Sequence, residues 1–556
     1  MSFMQTSSLP AYLRLAASGL IIPPSGGGGT GGGPSTGNGT GGFSLSAAAN
    51  AQAVAQGYLP SVFATSRPVT QRLTLADLGV TAVYDVYADG DLDLVPWNTL
   101  AAGNVINIMY KATPYTKRFC IHGQGTAASR IIVNGVTDAS GNLPTLDCNN
   151  STFAAGSSDI ISNDYGWPGL GGILITHGKS DGYHTYKAQY VTVQNMRIQG
   201  GRAGNTYYDL LGTAQVFGSC SGIYCMFPEH VVIDNCEGTD NAYGIFTQAR
   251  NMSIWEATGS IEIRNSAFWG NGVDNNDKQH NLYIQSMGAL IENNFIGQTR
   301  TLSKGSSFKD RSSGTVFRRN MVIASLRATD FVHTEDSGFN YYGASGDGIY
   351  TQPDWGLAYI YENLIINDYG TGKGASSPIH WGCDNIGEED YSVGAPGHPV
   401  VNSGATDASS ASRQMGYFYN NTVIMRATLA QSYYTNMLDI SWLFVNMDAR
   451  NNCFYLVGDS NWSWLYYSGT LASSNNAVYV GGGGPAIVSA RANAQANKYS
   501  CTVLDPIAGT SGMLTNASIN DVRPVAGGPL DGTAITNHPS IPTEYQSQLT
   551  SVGCMQ

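Results

Sequence analysis

Charge is scarce in this sequence. Asp, Glu, Lys and Arg make up 12% of the 556 residues, about half the usual share, which excludes a charge-solvated helical bundle and a charge-rich disordered chain. Long apolar runs are also missing. None approaches the ~18 residues needed to cross a bilayer, so membrane insertion is not expected. The nine cysteines are an odd number and include no C-x-x-C pair or zinc spacing, so no metal centre is expected from them. Cys220 and Cys225 flank a tight segment and could pair; the alternative is buried thiols in a core. The net charge of -12 argues against general nucleic-acid binding. Met1 to Ser8 carries no positive charge, and Arg14 interrupts the apolar part that follows. A secretion signal is therefore not expected, and synthesis and assembly in a cytoplasm are. There is no heptad seam.

What the chain has is a repeated strand phrase. Between Tyr243 and Ile323 lie Ser260-Ile-Glu-Ile-Arg-Asn265, Ala289-Leu-Ile-Glu-Asn-Asn294 and Gly314-Thr-Val-Phe-Arg-Arg-Asn320. Each is a short alternating apolar run, then asparagine, then another strand-like run. Alternation with period two predicts a strand with one buried face. The same phrase ends at Asn195, Asn235, Asn363, Asn421 and Asn452. From Asn235 to Asn320 the intervals are 30, 29 and 26 residues. Self-similarity at that period without helical periodicity predicts a stacked solenoid, with one coil per repeat. The asparagines should supply the left-handed turns as an internal ladder rather than act as ligands.

The ends differ from this middle. Residues 1–24 form a short apolar arm that reads as a docking peptide, and 25–42 a Gly-rich linker. Residues 43–75 should hold a short helix and a capping segment. The β-helix with loop insertions should span 76–480, and 481–556 should cap its open end, with a short helix near 486–496.

The asparagine-ended coils, the opening Gly103–Tyr110 with Gly123-Gln-Gly-Thr126, the pair His280-Asn-Leu-Tyr283 and Phe308-Lys-Asp-Arg311, and the closing Asp521–Asp531 resemble the right-handed parallel β-helix proteins of the pectate-lyase-like superfamily. The resemblance covers roughly residues 75–535 and implies an all-β, right-handed parallel β-helix. That superfamily hosts lyases, hydrolases, epimerases and binders, so it leaves the activity open. The arm, the linker and the missing signal are similar in layout to phage tailspikes. That layout implies a virion protein acting at the bacterial surface, docked on a tail or baseplate protein through residues 1–24 and trimeric by analogy. The alternatives are a non-catalytic receptor-binding or structural tail protein on the same β-helix, and a free, secreted bacterial polysaccharide lyase.

Counting back from the asparagines places Leu282 with Phe308 inside, and Tyr283 with Lys309 outside. Tyr224 falls at the same count in its own coil. Gln285 and Arg311 also match. Adjacent coils are about 4.8 Å apart, so Tyr224, Tyr283, Gln285, Lys309 and Arg311 should form an outward array with His280 at its edge. Between Arg300 and Arg327 there are seven basic residues and one acid, Asp310, which suggests an anionic partner such as a cell-surface polysaccharide. Cutting a uronate chain by β-elimination needs a base and a cation to neutralise the carboxylate. By resemblance, Lys309 is the candidate base, Arg311 the neutraliser, and Tyr283 or His280 the donor to the leaving oxygen. A hydrolase would instead need two carboxylates, from Asp310, Asp330, Glu335 and Asp336, beside His333. Tyr342, Trp355 and Trp381 are candidates for a sugar platform. No cofactor is expected; Asp274 to Asp277 could hold calcium, but match no dedicated loop.

Overall fold

A computed structural model of the chain describes residues 45–59, 61, 64–163, 166–178, 187–249, 257–332, 354, 356–368, 378–382, 414–427, 435–440, 445–458, 462–467, 470–474, 476–481, 502–504, 514–516, 521–524, 534 and 549. These form a parallel β-helix with three long sheets, the first of 12 strands and the other two of 11 each. Consecutive strands visit consecutive sheets. Val231–Asp234 lies in the first sheet, Glu237–Thr239 in the third and Tyr243–Gln248 in the second, before Ile261–Arg264 returns to the first. Each therefore pairs with its counterpart one coil away, in parallel.

Alternation explains which side chains fill the interior. Ile261 and Ile263 are buried between half-buried Glu262 and Arg264. One coil on, Ile263 stacks on Ile291 and then on Phe317. The other two sheets add Leu282, Phe308, Ile296 and Val322 to the same core. Phe308 meets Phe317 across the coil at 4.6 Å between ring centroids.

The asparagines do form a ladder, but the expected phase needs a correction. Arg264 pairs with Glu292 and Glu292 with Arg318. The left-handed residues that follow are Asn265 (φ 54), Asn293 (φ 57) and Arg319 (φ 57). Asn294 and Asn320 thus stand one place later than Asn265, level with Ser266, whose N–H donates to the Asn294 Oδ1 at 2.9 Å. From Asn294 onward the turn is made by the preceding residue, including Glu362, Asn420 and Asn451. The ladder side chain does something else. Asn320 Nδ2 donates to Asn363 Oδ1 at 3.1 Å and to the Ile291 carbonyl at 2.9 Å. The same pattern runs on through Asn421, Asn452 and Asn476. All are fully buried. A second stack, Asn241, Asn271 and Asn281, lines another corner.

The expected N-terminal helix is Ala47–Ala55, capped by Ser46, whose side chain accepts from the Ala49 N–H. Its small Ala49 and Ala53 face lies on the outer side of the third sheet, against Ala267 and Phe295. Gln52, Arg67 and Arg197 converge on buried Glu237. Residues 70–73 then run along the first sheet, where Leu73 exchanges hydrogen bonds with the Asn107 side chain. The arm, the linker and the 486–496 helix lie outside the described residues. The six described cysteines are buried free thiols, so Cys220 and Cys225 do not pair here.

Asn363→Ala should cost about 3 kcal/mol in chemical denaturation, because it strands the Asn320 N–H and the Phe317 carbonyl in the interior. A loss below about 0.5 kcal/mol would mean that the ladder amides are replaceable.

Candidate functional site

The second sheet carries one outward-facing row along the helix axis. Tyr224, Phe246, Tyr283, Lys309, Asp330, His380 and Asp439 stand opposite one another in successive coils. Leu282, Phe308 and Ile379 alternate with them and point into the core. The expected pairing of Tyr283 with Lys309 is the observed register.

The first half of the row is aromatic. Tyr224 stacks on Phe246 at 5.2 Å, and Phe246 meets Tyr283 edge-on at 5.1 Å. Tyr243 leans on both Phe246 and Tyr283, and His280 contacts Tyr283 edge-on at 5.3 Å. Tyr243, Phe246 and Tyr283 are half-buried, so these rings combine a packed edge with solvent-facing surface.

The second half is ionic. Asp330 accepts from Arg327 Nη1 at 2.7 Å and from His380 Nδ1 at 2.6 Å, and faces Lys309 Nζ at 3.6 Å. Arg327 Nη1 also lies 3.0 Å from His380 Nδ1. A ring nitrogen that donates to Asp330 cannot accept from Arg327 as well, so both donors converge on the carboxylate. Lys309 Nζ sits 5.8 Å over the Tyr283 ring. His280 Nδ1 accepts the Ser306 N–H at 2.8 Å, and the Ser306 hydroxyl reaches Asp330 at 3.4 Å. Burial alone would raise the Asp330 carboxyl. Arg327, Lys309 and His380 outweigh it and hold the group well below the usual carboxylate range.

The remaining expectations fare unevenly. Tyr224 lies in the row but does not neighbour Tyr283; Phe246 intervenes. Gln285, Arg311 and His280 are deeply buried, and Lys309 and Tyr224 keep only 8% of their surface, rather than standing open to solvent as expected; of the expected array only Tyr283 is half-buried. Lys309 faces the acid Asp330 of the next coil. Asp310 faces the interior, because its register partners are Ile284 and Phe331. There it accepts from the Thr315 hydroxyl at 2.6 Å, and burial pushes its carboxyl up to about 6 against that bond. It is no partner for a groove-facing Asp330. Trp381 also points inward, against Phe331 and over Gly416, so it offers no sugar platform. His333, Glu335, Asp336, Tyr342 and Trp355 lie outside the described residues. Asp274 and Asp277 are exposed, and among the described residues no three His, Cys, Asp or Glu cluster as a metal would need.

Phe246 and His380 were not foreseen, and Arg327 only as the end of the basic stretch. Counting eleven back from Asn363 or Asn421 reaches Gln352 or Ser410, not Asp330 or His380. The count crosses the connection from the second sheet to the first, and that connection varies in length from coil to coil. The only local signal was chemical: a histidine inside an apolar strand, Ile379-His-Trp-Gly382.

Asp310 and Asp330 should act oppositely on stability. The Asp310 carboxyl is raised, so its penalty is full above about pH 6 and is relieved as pH falls toward 4. The Asp330 carboxyl is depressed, so its contribution is lost only in stronger acid. Asp310→Asn should therefore stabilise the protein at pH 7.5 by up to about 3 kcal/mol and have little effect near pH 4. Denaturation curves at both pH values check this; an equal effect at both would refute it.

No family model and no curated protein sequence matches the chain. Solved structures do match it. An alginate lyase from Paenibacillus sp. is 14% identical with a TM-score of 0.29, over 71% of this chain and 99% of its own. A GH136 lacto-N-biosidase from Eubacterium ramulus is 9% identical with a TM-score of 0.37, over 72% and 68%. A PL6 family alginate lyase is 10% identical with a TM-score of 0.22, over 71% and 76%. At these scores the likeness carries neither a residue role nor an activity onto this chain.

Proposed function

We propose that this protein binds an anionic cell-surface polysaccharide along the second sheet and cleaves it by β-elimination. One observation carries the reading: half-exposed rings at Phe246 and Tyr283 run without a break into Lys309, Asp330 and His380. Rings take the apolar faces of sugars, and the cations beside them suit a uronate carboxylate. Lys309 faces an acid, so it serves better as the cation that meets the substrate carboxylate than as the base. His380, oriented through Nδ1 by Asp330, takes the proton next to that carboxylate. Tyr283 donates to the leaving oxygen. Asp310 faces the core, which weighs against the hydrolase alternative. The setting belongs to the same proposal: a trimeric tailspike, docked on a phage tail or baseplate through residues 1–24.

A second reading has its own support. Asp330 and His380 are almost fully buried, as a structural tie between coils would be. On that reading the aromatic half binds polysaccharide and nothing is cut.

Incubation with acidic polysaccharides separates the two. Cleavage by elimination raises the absorbance of unsaturated uronate ends. His380→Ala should then lower kcat at least about 100-fold, and Tyr283→Phe should lower kcat more than it raises KM. New reducing ends without absorbance would mean hydrolysis. Binding that Phe246→Ala abolishes, with no product of either kind, would leave the binding reading standing.

A further inference from the structure

We propose, on the footing that the second-sheet row is the polysaccharide site, that its substrate is a heteropolysaccharide with isolated uronates. Uncharged sugars flank each uronate, at least two of them on one side. A polymer built of uronates alone fits the row poorly.

Charge on this sheet is confined to a few coils. The strands Gly171–Thr176, Ser221–Met226, Tyr243–Gln248 and Leu282–Ile284 contain no charged residue. In the row, charge begins at Lys309 and runs on through Asp330 to His380. Arg327 meets Asp330 at 2.7 Å. With His380 neutral, as a base must be, Lys309 then supplies one positive charge in excess. One excess cation suits one carboxylate. Asp439 follows His380 in register and is half-buried. An acid at that place repels a second carboxylate.

The other side of Lys309 is aromatic. Coils lie about 4.8 Å apart, close to the advance of one sugar in an extended chain, so successive sugars meet successive coils. With a uronate at Lys309, the next two sugars face Tyr283 and Phe246. The face of an aromatic ring is the negative side of its quadrupole, which suits the C–H face of a neutral sugar and repels a carboxylate. Past them, Gln248 Oε1 accepts from the Tyr224 hydroxyl at 3.0 Å. Neutral amide and hydroxyl groups of this kind suit sugar hydroxyls. Lys278 and Lys304 lie in the turns before Leu282–Ile284 and Phe308–Asp310, and the nearby acids Asp274 and Asp277 balance them.

The test is titration of the full chain with polygalacturonate, hyaluronan and deacylated gellan at one ionic strength. These polymers carry a uronate at every sugar, every second sugar and every fourth sugar. Gellan should bind at least about tenfold more tightly than polygalacturonate, with hyaluronan between them. Asp439→Asn should narrow that gap by at least about threefold, because it removes the repulsion on one side. Equal or tighter binding of polygalacturonate overturns the spacing and leaves elimination on this row standing. A gap that Asp439→Asn does not move overturns it too, since the selection would then arise elsewhere. Failure of all three polymers to bind overturns this inference and the polysaccharide site together.

Discussion

A primary amide has two N–H groups and an oxygen with two lone pairs, and the buried asparagines from Asn294 to Asn476 use them inside the protein. From Asn294 to Asn452 each Nδ2 donates to the asparagine of the next coil and to a strand carbonyl of the coil behind, while each Oδ1 up to that of Asn476 accepts from the coil behind. A polar group this deep costs heavily when unpaired, so one partner cannot be lost without stranding its neighbours. The ladder therefore sets the register of the first and third sheets. It also holds residues such as Arg319 and Glu362 in a left-handed conformation they would otherwise avoid. Those two form an ion pair at 2.7 Å, one coil apart, on the outside of the same corner.

Register has chemical consequences on the second sheet. A parallel ladder stacks every outward residue on its counterpart about 4.8 Å away. Residues distant in sequence thus become neighbours: Lys309, Asp330 and His380 meet although Asp330 and His380 lie 50 residues apart. The carboxylate they share is deeply buried and faces Arg327 as well. Such a cluster is stable only because its positive groups surround one ionised acid. Removing that acid would leave its positive partners buried beside one another, which is why Asp330 is central whichever reading of the row holds.

The same alternation sorts acids by fate. Asp310 and Asp330 are both buried aspartates on adjacent strands of one sheet, yet one faces the core and the other the row. Composition cannot tell them apart. A shift of one residue along a strand reverses the face, and Asp310 sits one place beyond Lys309. Its carboxyl rises because burial outweighs the hydrogen bonds it accepts from Thr315 and Ser312, whereas that of Asp330 falls because the positive groups around it outweigh burial.

The period-two pattern, the recurring asparagine and the scarcity of charge were enough to determine a parallel β-helix, its inward Leu282 and Phe308, and the pairing of Tyr283 with Lys309. Those features are local or repeat at nearly constant spacing, and a solenoid copies local pattern into space. The one-residue offset between Asn265 and Asn294, the inward turn of Asp310 and Trp381, and the arrival of His380 at Asp330 were decided by the tertiary structure. Connections of unequal length separate those coils. Only backbone pairing between coils, not distance along the chain, determines which side chains meet.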